Sequence, residues 1–150
     1  MEDKLRKLIR IAILTAATMG LAGIALAQSS LLDTRSAKMK ELGANMGILS
    51  AMAKGERPYD AAVAGNSAQI VANNSKIILS LFPANSTGPR TKPEIWAEWA
   101  KFEAAAKAFE AEAGKFVPIS AQGKDQMAGG LTNVGKTCGG CHTPFRTEQK

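Results

Sequence analysis

From Leu32 onward, apolar residues recur at steps of three and four: Leu32, Met39, Leu42, Met46, Leu49 and Ala53, with Arg35 on the same stripe. That period predicts a helix with one buried face. Gly55 ends it, Glu56-Arg57-Pro58 makes a turn, and Pro58 opens the next helix. The second stripe is Val63, Ser67, Ile70, Asn74, Ile77 and Leu81, more polar than the first. Pro83–Pro93 is dense in helix breakers and predicts the longest loop. A third helix starts near Pro93-Glu94, carries Ile95, Trp99, Phe102, Ala106, Phe109 and Ala113, and ends at Gly114. Both Trp96 and Trp99 are expected in the core. Pro118 and Ser120 separate it from a fourth helix, whose stripe is Met127, Leu131, Val134, Cys138, Cys141 and Phe145. Four amphipathic helices joined by short links predict an all-α, antiparallel up-down-up-down four-helix bundle.

The N-terminus follows a different pattern. Met1–Arg10 is basic, and Ile11–Ala27 is apolar apart from two threonines and two glycines. The apolar run ends in Ala25-Leu26-Ala27, a small-x-small cleavage pattern. Residues 1–27 are therefore expected to be a cleaved secretory signal peptide, with 28–150 as one exported, periplasmic domain. An uncleaved anchor is the alternative, but the run is near the lower length limit for spanning a bilayer. Once cleaved, the protein is expected to have no stable membrane insertion.

Charge narrows the partners. The net charge is +6. Residues 28–150 hold 15 basic and 11 acidic residues, a balance of +4. With no dense Lys/Arg stretch, nucleic acid is not expected as a partner. A single histidine excludes a bis-histidine site, and two cysteines exclude a multi-disulfide scaffold. Aromatic residues are only 5% of the chain, and β-branched residues are sparse beside abundant alanine, which favours helix over sheet.

The chemistry is concentrated in Cys138-Gly139-Gly140-Cys141-His142. Cys-x-x-Cys-His is the attachment sequence of a c-type haem. On a helix the three side chains share one face, so two thioethers fix the porphyrin edge while the imidazole reaches the iron. The intervening glycines allow close approach of the ring. Three other readings stand beside this one. A thioredoxin-like pair needs a βαβ context, which the pattern lacks. A structural zinc needs a fourth ligand. A disulfide across two residues is strained. The export signal favours haem, because a covalently held cofactor cannot dissociate after secretion.

The chain resembles the class II c-type cytochromes: the cytochrome c′ family with its low-spin relatives. The resemblance rests on the C-terminal haem motif with Phe145-Arg146, and on Arg35 four residues before Met39. It also rests on Ala53–Asp60, Leu81-Phe82-Pro83 and Lys92-Pro93-Glu94-Ile95-Trp96. It implies a left-handed bundle with one haem c in its core, often a homodimer. Carried onto this chain, Cys138 and Cys141 are the thioether sites and His142 is the proximal ligand. Arg35 falls near a propionate, Phe82 on the distal face, and Arg146 one turn beyond His142. Ser36 departs from the glutamine or lysine that many members carry there.

Met39 stands at the position that faces the haem in the family, where some relatives have a ligating methionine and others have methionine or leucine beside a five-coordinate iron; the resemblance thus makes His142 and Met39 the candidate iron ligands. Axial ligands set potential and reactivity. A His142/Met39 haem implies an electron carrier serving a periplasmic redox partner. The alternative is a five-coordinate cytochrome c′ that binds nitric oxide or carbon monoxide on the Met39/Phe82 side. No nucleophile–base pair suggests an enzyme.

Overall fold

The structure, a computed structural model, describes residues 29–148. The segment expected to be a signal peptide lies outside the described residues. Helix α1 covers 29–54 of them. It is followed by α2 (Ala61–Ser75), a 3-10 turn (Leu79–Leu81), a short α3 (Glu94–Ala97), α4 (Trp99–Ser120) and α5 (Lys124–Phe145). The described residues contain no strand, only an isolated antiparallel bridge between Thr91 and Arg146. The chain is an all-α four-helix bundle. No described helix is long and apolar enough to cross a membrane.

The stripes predicted for α1 and α5 hold. Leu42 and Leu49 are buried on α1, as are Met127, Val134 and Phe145 on α5. Gly55 closes α1 with φ +79°, a conformation that suits glycine. The start of α2 differs from expectation. Asp60, not Pro58, caps it, accepting from Val63 N–H at 2.9 Å. Its predicted stripe holds in part: Ser67, Asn74 and Leu81 are buried, Val63 and Ile70 sit at the margin, and Ile77 is exposed. The buried face is wider than the stripe and takes in Ala64, Ala68, Val71, Ala72 and Ser75. Small side chains let α2 approach its neighbours closely, and that packing outweighs the pull of the larger isoleucines.

The third predicted helix is two. The backbone leaves the helical region at Glu98 (φ −119°, ψ 43°), separating α3 from α4. Ile95 keeps its buried place at 2% exposure, but Trp99 is turned out at 37%, so it is not a core residue. Trp96 is half-buried. At its other end α4 passes Gly114 and contains Pro118. Ala113, Phe116 and Ser120 continue the buried stripe through both breakers. Burial of a phenylalanine is worth about 1.5–3 kcal/mol, more than the roughly 1 kcal/mol cost of an interior glycine. Pro118 falls in the last turn, and Tyr59 Oη donates to the terminal Ser120 carbonyl at 3.0 Å. Along the outer face of α4, Glu98–Lys101, Glu103–Lys107 and Glu112–Lys115 are exposed ion pairs. Such pairs add little stability.

Candidate functional site

The Cys-x-x-Cys-His segment forms the last turns of α5. Cys138, Cys141 and His142 are all half-buried, and both cysteines pack against the core without pairing as a disulfide. Burial pushes the Cys138 thiol up. Burial, with Cys138 adding to it, pushes Cys141 up to about 11. Burial first, then the charges of Arg146 and Arg90, lower the His142 pKa and favour a neutral imidazole. A neutral imidazole is the form that binds a metal.

The loop before α3 straps down the end of α5. Lys92 N–H donates to Phe145 O at 3.1 Å and its Nζ to Thr143 O at 3.1 Å. Thr147 N–H donates to Arg90 O at 3.2 Å, beside the Thr91–Arg146 bridge. Arg146 N–H still closes on His142 O at 3.0 Å. Arg146 itself is exposed.

Arg35 is buried at 7% exposure on α1. Its Nε and Nη2 donate to Leu81 O at 3.0 and 2.7 Å. Nη2 also reaches Ser86 O at 3.0 Å and Ser86 Oγ at 2.9 Å. The guanidinium lies 4.0 Å from the centre of the Phe82 ring. Gly88 lies close by, since a Cβ there would come 2.9 Å from Leu32 and 3.5 Å from Arg35 Nη1. Burial lowers the Arg35 pKa. One donor remains: Nη1 is buried and has no hydrogen-bond partner. An unsatisfied guanidinium nitrogen beneath the surface calls for an anionic or acceptor group. Met39, four residues further along α1, is half-buried against the core.

The structure therefore joins Arg35 directly to Phe82 across the bundle and gathers Cys138, Cys141 and His142 on α5. Sequence reasoning missed the hub between these parts. Phe102 stacks edge-on against Phe82 (4.9 Å) and Phe145 (5.3 Å), and touches Trp99 at 5.5 Å. Phe102 is visible in the sequence only as one more apolar position on its stripe. Ser86 was missed too, because a lone serine in a breaker-rich loop carries no signal. An open pocket of about 400 Å³ lies elsewhere, lined by Leu79, Ser80, Pro83, Ala84, Trp96 and Trp99. None of the α5 motif residues lines it.

The family described as Cytochrome C' matches residues 30–146. The chain belongs to the cytochrome c′ family. A cytochrome c-556 of Rhodopseudomonas palustris is 33% identical over 153 residues, covering 95% of this chain and 99% of its own. A cytochrome c' of the same organism is 34% identical, covering 94% and 98%. In structure, the chain is similar to a cytochrome c' from Rhodobacter Spheriodes. That match has a TM-score of 0.76 and 30% identity, covering 81% of this chain and 98% of the other. Identity does not separate the c-556 from the c' relatives.

Membership brings covalently bound haem c as the cofactor. The residues present fit that group. Two cysteine sulfurs not tied in a disulfide and a neutral-leaning imidazole share one helix end, and Arg35 Nη1 offers a buried donor suited to a carboxylate. The competing zinc reading lacks its donors: among the described residues no group of three or more His, Cys, Asp or Glu is placed to hold a metal.

Replacing Arg35 by alanine is expected to cost about 2–3 kcal/mol. It strips charged hydrogen bonds from the Leu81 and Ser86 acceptors and leaves them buried. Lysine should not restore the loss, because one ammonium cannot reproduce the two-armed contact. Thermal unfolding of the three holoproteins checks this, and a lysine variant as stable as wild type would contradict it.

Proposed function

We propose that this cytochrome c′ family protein is an electron carrier whose single haem c is held by Cys138 and Cys141, with His142 and Met39 as axial ligands. In this reading residues 1–27 direct export and are removed, and a redox partner protein meets the mature domain in the periplasm. The observation that carries the reading is the pairing of two features. The chain's one histidine is held half-buried and neutral-leaning at the end of α5. Met39 is half-buried against the core on the stripe that carries Arg35.

Haem c supplies an iron that accepts or gives up one electron without any bond to the partner. The chain's own residues do the rest. Cys138 and Cys141 hold the group in place, and His142 donates its ring nitrogen. Met39 offers a thioether, which favours ferrous iron and raises the potential. Arg35 Nη1 pairs a carboxylate at the buried edge. Phe82, Phe102 and Phe145 keep water from the interior, which limits rearrangement when charge changes.

Met39→Ala tests the ligand set. The expected result is a change from a low-spin to a high-spin visible spectrum, with carbon monoxide binding gained on reduction. An unchanged spectrum in the variant would remove Met39 from the iron, and a high-spin wild type that shifts with carbon monoxide would favour the gas-binding reading of this site.

A further inference from the structure

We propose that the hollow between Trp96 and Trp99 is a binding site for a small, uncharged aromatic molecule that carries a hydroxyl group. Both tryptophans of the chain line this one pocket, and its volume of about 400 Å³ falls within the range of small-molecule sites. The site does not depend on which residues bind iron.

The fold assembles the pocket from separate segments. The 3-10 turn supplies Leu79 and Ser80, the loop after it supplies Pro83 and Ala84, and α3 and α4 supply one indole each. Both indoles are held. Trp96 Nε1 donates to Pro83 O at 3.0 Å, which ties α3 to the loop. The Trp99 ring rests on Phe102, itself 1% exposed, with ring centres 5.5 Å apart. The break at Glu98 turns Trp99 outward at the head of α4. An uncovered indole forgoes the stability that its burial would bring. Because both rings are already fixed, covering them costs little ordering.

The polar atoms of the lining narrow the ligand. Trp96 Nε1 is spent on Pro83 O, and that carbonyl also accepts from Ser86 N–H and Ser86 Oγ. Ser80 Oγ gives its proton to Ile77 O at 2.7 Å, so a ligand meets it as an acceptor. A ring hydroxyl supplies the matching donor. No charged residue lines the pocket, and Glu98, the acid beside Trp99, pairs with Lys101. An ionic ligand would therefore lose hydration without gaining a counter-charge. An aromatic ring, by contrast, gains from packing on the indoles beyond the area it buries.

The test is a titration of holoprotein with p-cresol, followed by NMR through the two indole N–H signals. Cyclohexanol, toluene, benzoate and benzyltrimethylammonium are the comparison probes. p-Cresol is expected to shift both indole signals and to bind several-fold tighter than each of the others. Trp99→Ala should weaken it about tenfold, as truncation of a central aromatic does. Ala84→Phe, which fills the hollow, should abolish binding. Both positions are exposed, so the bundle is expected to stay folded. Ser80→Ala should remove most of the preference for p-cresol over toluene. The visible spectrum should not change as p-cresol is added, whatever the axial ligands are. Unmoved indole signals would overturn the proposal, and so would binding that neither Trp99→Ala nor Ala84→Phe weakens. Tighter binding of the ammonium probe would overturn it in favour of a cation site on the indole faces. A shifted visible spectrum would overturn it by placing p-cresol at the iron.

Discussion

Serine at both Cys138 and Cys141 is expected to abolish retention of haem after the protein is denatured. A thioether needs sulfur, and the serine hydroxyl is too poor a nucleophile to replace it. The substitution is nearly isosteric at two half-buried positions, so the α5 backbone should tolerate it. Stability should nevertheless fall. A group that binds only the folded state stabilises it, and losing that group removes the contribution. Arg35 Nη1 would also be left buried with no acceptor, at a further cost of about 1–3 kcal/mol. Mass spectrometry of the denatured chain reads the outcome directly. Wild type should carry the added mass of one haem and the double variant none. A double variant that kept the added mass would contradict the assignment of these two cysteines. A wild type with zinc in place of haem would contradict it more broadly.

Adjacent glycines on α5 should respond in opposite directions to alanine. A Cβ at Gly130 would lie 2.5 Å from Phe116 Cδ2 and 2.7 Å from Ile119 Cδ1. Phe116 is 1% exposed, so its ring has nowhere to move. Overpacking of this kind costs about 1–3 kcal/mol. The gain in helix propensity, roughly 1 kcal/mol, does not cover it. Gly130→Ala should therefore lower the stability of the bundle, and Gly130→Val should lower it further. At Gly129 a Cβ meets nothing within 4 Å, so alanine there should raise stability by up to about 1 kcal/mol. Denaturant unfolding of the two single variants provides the comparison. Equal effects at the two positions would mean that α4 and α5 are not in contact where Gly130 places them.

Gly130 also shows what a sequence conceals. Read along the chain, Gly129-Gly130 is a weak point in a helix. Only the packing of α4 shows that one glycine is a contact and the other is open surface. The stripes of α1 and α5 were legible because large apolar residues such as Leu42, Leu49, Met127 and Val134 recur on them at helical spacing. The second stripe was legible only in part, at Ser67, Asn74 and Leu81, because the rest of the burial on α2 runs largely through alanine and serine, which hydrophobicity ranks low. The break at Glu98 and the passage of α4 through Gly114 and Pro118 were hidden for a related reason. Tertiary burial of Ile95 and Phe116 decides them, and local propensity does not. In the site, the covalent motif was plain from its spacing. Arg35 was placed by resemblance, and its contacts with Leu81, Ser86 and Phe82 are a product of the fold. The convergence of Phe82, Phe102 and Phe145 joins three separate segments, and no local pattern encodes such a meeting.

The proposed electron carrier has one haem c in this bundle with both axial positions filled by the chain. The most direct measurement is the visible spectrum of reduced wild-type holoprotein before and after carbon monoxide is added. With Met39 on the iron, the expected result is sharp low-spin bands that carbon monoxide leaves unchanged. A high-spin spectrum that shifts with carbon monoxide would contradict it and identify an open iron site on the Met39/Phe82 side.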